Sequence, residues 1–495
     1  MSNPIIIDSF QWGQANDKNR GQAWAFWNSK NIHYRKNSSY VELSKWAVTL
    51  FSITNASRPS AITFWGTAWA INTDIIVFTS GGIYTSAWQQ SLVWDIVNVW
   101  EAYWVKYFVT SDKIYSYTTA SLNTLLDTFG TTTEYRPLLN FFGDLIIGDG
   151  TKIARLNRGT TALLEWTAWA TNLTIGWLDG TVMAITQIGI NVYIWCDNGS
   201  NTNLYIWDGS SPNPTEKITY YDKSVRNVAL LGNMHYWWQS KTNASIKEVL
   251  IGESYQPQVY VKSDYPELPL DSNPDDEKNK MAIAVDYNYH INAIETIWDI
   301  VFLPWIGRIF SFGRYFPWDK FSFNTEFSFT GTYVPCMASG WLTWSTLDAW
   351  WFLVFAVLNG SAYDIKAVNL WQDWSPTVPI TYASSGEVES MEYIAESFAD
   401  WEQDNKLIVP FELPTSDCSI KVYYKNDRAT SYTLLKTITT TDYGTGYNVA
   451  EITEDYNGKW RTKQFKFELT TSNTLYTPKL YTWITNIQET LWKRV

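Results

Sequence analysis

One hairpin pattern recurs along most of this chain and constrains its fold more than any other feature. The clearest copy spans residues 138–156, where an apolar run at 145–147 precedes Asp149-Gly150 and an apolar pattern resumes at Ile153. An Asp-Gly pair between two hydrophobic runs is a strong hairpin signal, because both residue types tolerate the positive φ of tight turns. We therefore predict strand, turn and strand here, with Asp149-Gly150 as the turn and residues 145–147 packed against neighbouring units.

Degenerate copies of this pattern predict a repeat architecture. They lie in residues 61–86, 104–117, 138–156, 182–208, 225–258, 294–321 and 341–368. A spacing of about 47 residues is typical of four-stranded propeller blades, which bury their open faces by packing against one another. We predict a β-propeller of approximately seven blades over residues 46–378, and the irregular spacing leaves six or eight blades open.

The pattern of apolar and polar residues changes near Pro379. In residues 379–495, short segments alternate apolar and polar side chains, as in the run from Ile420 to Lys425. Such alternation is typical of antiparallel strands with one solvated face. We predict a β-sandwich for residues 379–495 and an irregular N-terminal arm for residues 1–45, so that the fold class is all-β.

Charge and hydropathy exclude several classes of partner. The net charge of −12 disfavours nucleic acid, which needs a basic contact face. The first ten residues lack the basic region and apolar run of a secretory signal. The longest apolar run covers only residues 350–358, whereas a bilayer needs roughly twenty residues, so we expect a buried strand and no membrane span.

Tryptophan is over-represented at positions where glycine is expected. The chain has 30 Trp and 26 Gly, although turn-rich β proteins are usually rich in glycine. Trp69 and Trp318, for example, stand in turn-like contexts that disfavour a bulky side chain. One hypothesis is that some of these codons are UGA, translated as Trp in this sequence but as Gly in the source organism. The alternative is a protein that is naturally rich in Trp, and both remain open at this point.

Catalytic and metal-binding patterns are absent from the sequence. No GxSxG, HExxH or CxxC segment occurs. We interpret the histidines as structural or surface residues and the cysteines as ordinary thiols; they are His33, His235, His290, Cys196, Cys336 and Cys418. We assign no catalytic, cofactor-binding or metal-binding residue and predict that the chain is not an enzyme.

Acidic and basic side chains offer weaker candidates. A propeller glycosidase would need two carboxylates, but acidic residues are also common in hairpin turns. The carboxylate candidates are Asp144, Asp149, Asp197, Asp208 and Asp299. A loop at residues 271–280 carries oxygen ligands suited to Ca²⁺ without the spacing of an EF-hand, which favours a solvated loop. Arg308 and Arg314 could bind a partner, and Arg314 could equally hold a carbonyl or carboxylate inside its own unit.

Two segments resemble tail-associated virion proteins of tailed bacteriophages. The first, residues 19–43, contains the matching residues Ile32, Arg35 and Lys36, and the second, residues 306–327, contains residues 310–314 followed by Pro317. Position 318, where the second motif has Gly, is Trp. The resemblance implies a propeller followed by a sandwich in a phage particle.

We therefore expect a non-enzymatic virion structural protein of the tail or tail tip. It would be made in the host cytoplasm and would contact other virion proteins, including copies of itself. The alternatives are a carbohydrate-active propeller, either a glycan-binding protein or a hydrolase such as a sialidase, and a cellular propeller scaffold.

Overall fold

Strands dominate the fold. A computed structural model of the chain describes residues 5–6, 26–30, 32–33, 40–54, 58–65, 74–79, 82–85, 89–91, 96–102, 105–117, 124–133, 135–157, 163–165, 174–221, 225–232, 234–239, 246–251, 259–264, 293–305, 308–314, 322–331, 333–343, 349–370, 381–390, 392–394, 402–427, 429–452 and 459–489. These residues form β-strands and one short helix, which confirms the predicted all-β class.

Five strands come from the first part of the chain. They are β1 (Ile5–Ile6), β2 (Phe26–Lys30), β3 (Ile32–His33), β4 (Tyr40–Leu43) and β5 (Val48–Thr54). Strands β1, β2, β4 and β5 pair with strands from residue 362 onwards, whereas β3 pairs with its sequence neighbour β4.

The middle of the described chain forms seven four-stranded antiparallel sheets, which we number in chain order. Sheet 1 contains β6 (Pro59–Trp65), β7 (Asp74–Thr79), β8 (Gly82–Tyr84) and β9 (Gln89–Ser91). Sheet 2 contains β10 (Ile96–Ala102), β11 (Val105–Thr110), β12 (Lys113–Tyr117) and β13 (Thr124–Thr128). Sheet 3 contains β14 (Leu138–Phe141), β15 (Asp144–Asp149), β16 (Lys152–Leu156) and β17 (Leu163–Leu164).

Sheets 4 to 7 follow the same order of strands. Sheet 4 contains β18 (Thr181–Ile188), β19 (Asn191–Asp197), β20 (Thr202–Trp207) and β21 (Glu216–Tyr220). Sheet 5 contains β22 (Val225–Leu231), β23 (Met234–Gln239), β24 (Ile246–Ile251) and β25 (Val259–Asp264). Sheet 6 contains β26 (Glu295–Ile297), β27 (Ile300–Trp305), β28 (Arg308–Gly313) and β29 (Ser322–Ser328). Sheet 7 contains β30 (Met337–Thr343), β31 (Ala349–Asn359) and β32 (Ala362–Asn369), and its fourth strand is β5.

The first strands of neighbouring sheets pack against one another. Strand β10 contacts β6, β14 contacts β10, β18 contacts β14 and β22 contacts β18. Strand β30 contacts β26 and also contacts β6, so the last sheet lies beside the first. Each of the seven hairpin units found in the sequence corresponds to one of these sheets.

Sheet 3 is covered on both faces because alternate residues of its strands pack against different neighbouring sheets. In β15, Ile146 packs in a cluster with Val182 and Ile194 of sheet 4. Leu145 and Ile147, one residue to either side, pack with sheet 2. Mixed clusters also join sheets 1 and 2, 4 and 5, 6 and 7, and 7 and 1. The 145–147 run thus packs against neighbouring units on both sides, as expected.

The turn of this hairpin lies one residue later than predicted. Asp149 pairs with Lys152, so the two loop residues are Gly150 and Thr151, and Gly150 has a φ of 63°. Asp149 belongs to the strand because its carboxylate is buried against Arg136, a contact distant from the local Asp-Gly pattern.

Two larger sheets contain the C-terminal strands. These strands are β33 (Ser385–Ser390), β34 (Tyr393–Ile394), β35 (Glu402–Leu413), β36 (Cys418–Asn426), β37 (Thr433–Thr439), β38 (Gly446–Ile452), β39 (Lys459–Trp460), β40 (Thr462–Thr471), β41 (Lys479–Tyr481) and β42 (Ile484–Glu489). Helix α1 (Thr440–Tyr443) connects β37 to β38. The eight-stranded sheet has the order β1-β42-β35-β41-β4-β3, with β38 and β39 also paired to β35. The six-stranded sheet has the order β2-β33-β40-β36-β37, with β34 paired to β40.

One hydrophobic cluster joins these two sheets to the beginning of the chain. It combines Leu407 and Phe411 of the eight-stranded sheet with Ile420 and Phe467 of the six-stranded sheet. Ile32, Val41 and Leu43 are fully buried in the same cluster. The N-terminal arm was predicted to be irregular, whereas its described residues supply strands to both sheets. A strand whose partners are more than 300 residues away leaves little local signal.

Candidate functional site

Asp149 and Arg136 form a buried ion pair between sheets 2 and 3. Arg136 Nη1 lies 2.8 Å from Asp149 Oδ1, and both side chains are almost completely buried. Arg136 also donates hydrogen bonds to the carbonyl oxygens of Thr110, Ser111 and Thr131, and its guanidinium lies 3.7 Å from the ring centre of Phe129. Burial lowers the pKa of Arg136, and the contact with Asp149 opposes this shift. The Asp149 carboxylate is thus engaged in joining the two sheets.

Asp144 has a comparable role at the next boundary. Arg155 Nε donates to Asp144 Oδ2 at 2.6 Å within sheet 3. Its Nη1 donates to the carbonyl oxygen of Gly209 at 2.8 Å, in the loop that follows β20 of sheet 4. Arg155 therefore connects sheets 3 and 4 while neutralising Asp144.

Asp299 pairs with Arg314 within sheet 6. Arg314 Nε donates to Asp299 Oδ2 at 2.8 Å, and the backbone amide of Arg314 donates to the Asp299 carbonyl oxygen at 3.0 Å. Arg314 therefore holds a carboxylate inside its own unit, which is one of the two alternatives that the sequence left open for this residue. The side chain of Arg308 lies outside the described part of the structure.

The two remaining carboxylate candidates organise turns. Asp197 accepts a hydrogen bond from the amide of Gly199. Asp208 accepts from the amides of Ser210 and Ser211 and from the Ser211 hydroxyl. Partial burial disfavours the charged form of Asp208, but the hydrogen bonds from Ser211 and Ser210 outweigh it and lower its pKa. All five carboxylates considered for glycoside hydrolysis thus make identifiable structural contacts.

His235 is a core histidine between sheets 4 and 5. It is completely buried, its Nε2 lies 2.6 Å from the Thr186 hydroxyl, and its ring packs beside Tyr193 and Trp195. Burial lowers the pKa of His235 to about 3, so the ring is neutral at physiological pH. An enclosed imidazole that is neutral at physiological pH fits the structural interpretation made from the sequence.

His33 lies where the N-terminal strands meet the seven sheets. Its Nε2 is 3.7 Å from Glu326 Oε2 on β29, and Glu326 also accepts a hydrogen bond from the Ser311 hydroxyl. Strands β2 and β3 both pack against β29. This cluster therefore joins sheet 6 to the C-terminal sheets. His290 and the 271–280 loop, considered for Ca²⁺, lie outside the described residues.

Glu295 is a partly buried carboxylate that the sequence did not single out. It lies on β26, and its Oε1 accepts hydrogen bonds from the Ser339 hydroxyl at 2.6 Å and the Ser339 amide at 3.2 Å. Desolvation raises its pKa to about 7, although the bonds from Ser339 favour the charged form. Its contact with β30 joins sheets 6 and 7. Only its position in an otherwise apolar segment distinguished it in the sequence.

The cysteines are free and buried, and burial raises the pKa of the Cys196 and Cys336 thiols. Within the described part of the chain, no three His, Cys, Asp or Glu side chains are grouped so that they could hold a metal ion. No described helix has the length and apolar character needed to cross a membrane.

The solvated face of the six-stranded sheet carries a polar network. Lys466 pairs with Glu387 at 2.6 Å and with Glu468 at 3.3 Å, and the Tyr423 hydroxyl donates to Glu468 at 2.7 Å. The acidic and basic groups of this network are paired with one another. Such mutual pairing favours a structural role for this face over recognition of a ligand of one charge.

Comparisons with known proteins give weak similarities. No protein family and no curated protein matches the sequence. Among solved structures, the CNH domain of AfRom2 matches with a TM-score of 0.39 and 10% identity, covering 66% of this chain and 100% of that one. Raptor from Chaetomium thermophilum matches with a TM-score of 0.39 and 13% identity, covering 67% of this chain and 29% of that one. The designed protein Ika8 matches with a TM-score of 0.38 and 10% identity, covering 65% of this chain and 99% of that one. These scores are too low to carry an argument about function.

Proposed function

We propose that the seven four-stranded sheets form a closed seven-bladed β-propeller and that the two C-terminal sheets form a β-sandwich. Three features support this proposal: two-sided packing of sheet 3, contact between the first strands of sheets 7 and 1, and completion of sheet 7 by β5. Pairing of β5 with β32 ties an early segment to the last sheet, as expected if a strand from the beginning of the chain completes the last blade of a ring.

We propose that the protein is a non-enzymatic structural component of a phage particle, in the tail or tail tip. The observation that carries the non-enzymatic part is the engagement of all five candidate carboxylates in ion pairs or turns. The assignment to a phage tail is supported by the two segments that resemble tail-associated virion proteins. In this role a rigid propeller presents its loops, and contacts with other virion proteins and with copies of the same chain hold it in the particle.

The experiment that tests this function is analysis of purified phage particles from the source of the gene. Peptide mass spectrometry should find the chain in the particles, and immunogold electron microscopy should place it on the tail. Neighbouring genes for tape-measure, portal and capsid proteins are expected beside its own. Absence of the chain from purified particles would overturn the proposal.

A glycan screen separates the proposal from the carbohydrate-active alternative. The purified chain is tested for binding to arrayed glycans and for release of sugars from them. We expect no hydrolysis, because Asp144, Asp149 and Asp299 are neutralised by arginines. Measurable hydrolysis that is lost on substitution of one of these carboxylates would contradict the non-enzymatic assignment.

A further inference from the structure

Two tryptophans have a backbone conformation that suits glycine. The φ angles are 57° at Trp177 and 51° at Trp298, in the left-handed region that side chains with a Cβ avoid. Their side chains are 82% and 60% exposed, respectively. Burial of an indole ring therefore does little to offset the backbone strain at either position.

The loop that contains Trp298 has glycine-led equivalents elsewhere in the chain. Trp298 and Asp299 form the two-residue loop between the paired residues Ile297 and Ile300. Positive φ at the first loop residue alone is the pattern of a type II′ turn, whose first position takes glycine. Trp298 occupies that first position, and Asp299 is not among the residues with positive φ.

Four other two-residue loops are led by a glycine with a positive φ. Gly150 follows Asp149 in sheet 3, and its φ is 63°. Gly189 leads the loop between β18 and β19 with a φ of 60°, and Gly360 leads the loop between β31 and β32 with a φ of 64°. Gly232 likewise leads the two-residue loop between β22 and β23 with a φ of 61°, so Trp298 stands at the position that four other sheets fill with glycine.

A second group of tryptophans has the opposite environment. Trp195, Trp207 and Trp483 are completely or almost completely buried. Trp207 Nε1 donates to the carbonyl oxygen of Ser211 at 2.7 Å, and the ring of Trp483 lies 4.5 Å from that of Phe467. Glycine at any of these positions would leave a cavity the size of an indole ring, so they are structurally required tryptophans.

We propose that Trp177 and Trp298 are encoded by UGA and are glycine in the natural protein, whereas Trp195, Trp207 and Trp483 are encoded by UGG. UGA and UGG differ only in the third base, so a translation that reads both as Trp merges two amino acids into one. The cell that makes the protein would then hold a glycine tRNA that decodes UGA. The codon assignment is independent of the proposed function, because it rests on backbone conformation and burial alone.

Glycine at these two positions would also change the exposed surface. Trp177 and Trp298 are among the most exposed aromatic side chains in the described residues. With glycine at both positions, the protein has no indole ring at 177 or 298 that could stack against a sugar. The positive φ of Phe142 belongs to a different loop, in which the second residue, Gly143, also has a positive φ, and a Phe codon cannot be a reassigned stop codon.

The decisive experiment combines sequencing of the five codons with peptide mapping of the natural protein. The coding sequence should have TGA at 177 and 298 and TGG at 195, 207 and 483. Peptide mapping of the protein from its source should find glycine at the first two positions and tryptophan at the other three. TGG at 177 and 298, or tryptophan in those natural peptides, would overturn the inference, as would TGA at the three buried positions.

A stability measurement tests the physical basis separately. In a recombinant chain that carries Trp at all five positions, Trp298→Gly should raise the midpoint of thermal unfolding by about 1–3 °C, because it relieves left-handed strain. Trp207→Gly is the matched control and should lower the midpoint strongly or prevent folding, because it empties a buried site. A fall in the midpoint for Trp298→Gly comparable to that for Trp207→Gly would show that the indole at 298 is structurally required, which contradicts the inference.

Discussion

Substitution of Arg136 tests whether buried polar contacts hold neighbouring sheets together. Arg136→Met keeps an unbranched apolar stem of similar reach but removes the cation. The Asp149 carboxylate then stays buried without its partner at 2.8 Å. The carbonyl oxygens of Ser111 and Thr131 also lose donors that now lie at 2.6 Å.

The expected loss follows from these contacts. Breaking a buried ion pair by removing one partner costs about 3–5 kcal/mol of unfolding free energy, because it leaves an uncompensated buried charge. Asp149→Asn should cost less, about 1.5–3 kcal/mol, because Arg136 keeps its bonds to backbone carbonyl oxygens. In the double variant the charge on 149 is absent, so its loss should fall short of the sum of the single losses by about 0.5–3 kcal/mol.

Equilibrium unfolding in urea measures these losses, and the exposed pair of Lys217 and Asp179 provides the control. That pair has a similar separation of 3.1 Å, but its side chains are 41% and 54% exposed. Lys217→Met should change stability by no more than about 1 kcal/mol. If Arg136→Met cost no more than Lys217→Met, or if the two single losses at 136 and 149 were additive, the argument for a buried structural ion pair would be refuted.

Four further substitutions or truncations follow from the structure. Gly150→Val should cost about 1–3 kcal/mol in the same urea assay, because a β-branched residue is strained at a φ of 63°, and an unchanged stability would contradict this. The pKa of Glu295 is raised to about 7, so the folded state binds more protons than the unfolded state between about pH 4.5 and 7, and stability is lost as pH rises through this range. Glu295→Gln should abolish the corresponding pH dependence of the unfolding free energy, which has a slope of up to about 1.4 kcal/mol per pH unit. An unchanged pH profile in this variant would contradict the role given to Glu295. The pKa of His235 is lowered to about 3, so its effect on stability has the opposite pH dependence: stability is lost as pH falls from about 6.5 towards 3. His235→Gln should reduce this loss, which is measured as the midpoint of thermal unfolding at each pH. Deletion of residues 1–45 removes Ile32, Val41 and Leu43 from the C-terminal core and should make the C-terminal sheets sensitive to limited proteolysis, whereas an equally resistant truncated protein would show that these strands are dispensable.

Local patterns in the sequence were sufficient to predict the hairpins. Each unit combines apolar strands with a turn rich in Gly, Asp or Asn, and these features act over a few residues, so they can be seen in the sequence without tertiary information. The alternation of Ile420 and Val422 with polar neighbours likewise indicated which face of β36 is buried, and the structure buries both.

Long-range pairing was decided only by the tertiary structure. Strand β5 pairs with β32 of sheet 7, and β4 pairs with the C-terminal strand β41, so each has a partner that adjacent sequence does not offer. The roles of Asp149 and Glu295 were equally hidden, since Arg136 lies in the segment before β14 and Ser339 lies on a strand of another sheet. The excess of Trp was visible in the sequence, but only φ and burial separate Trp298 from Trp207. Sequence periodicity thus determines which segments become strands and which faces are apolar, whereas contacts between distant segments determine which edges pair and which polar groups become buried.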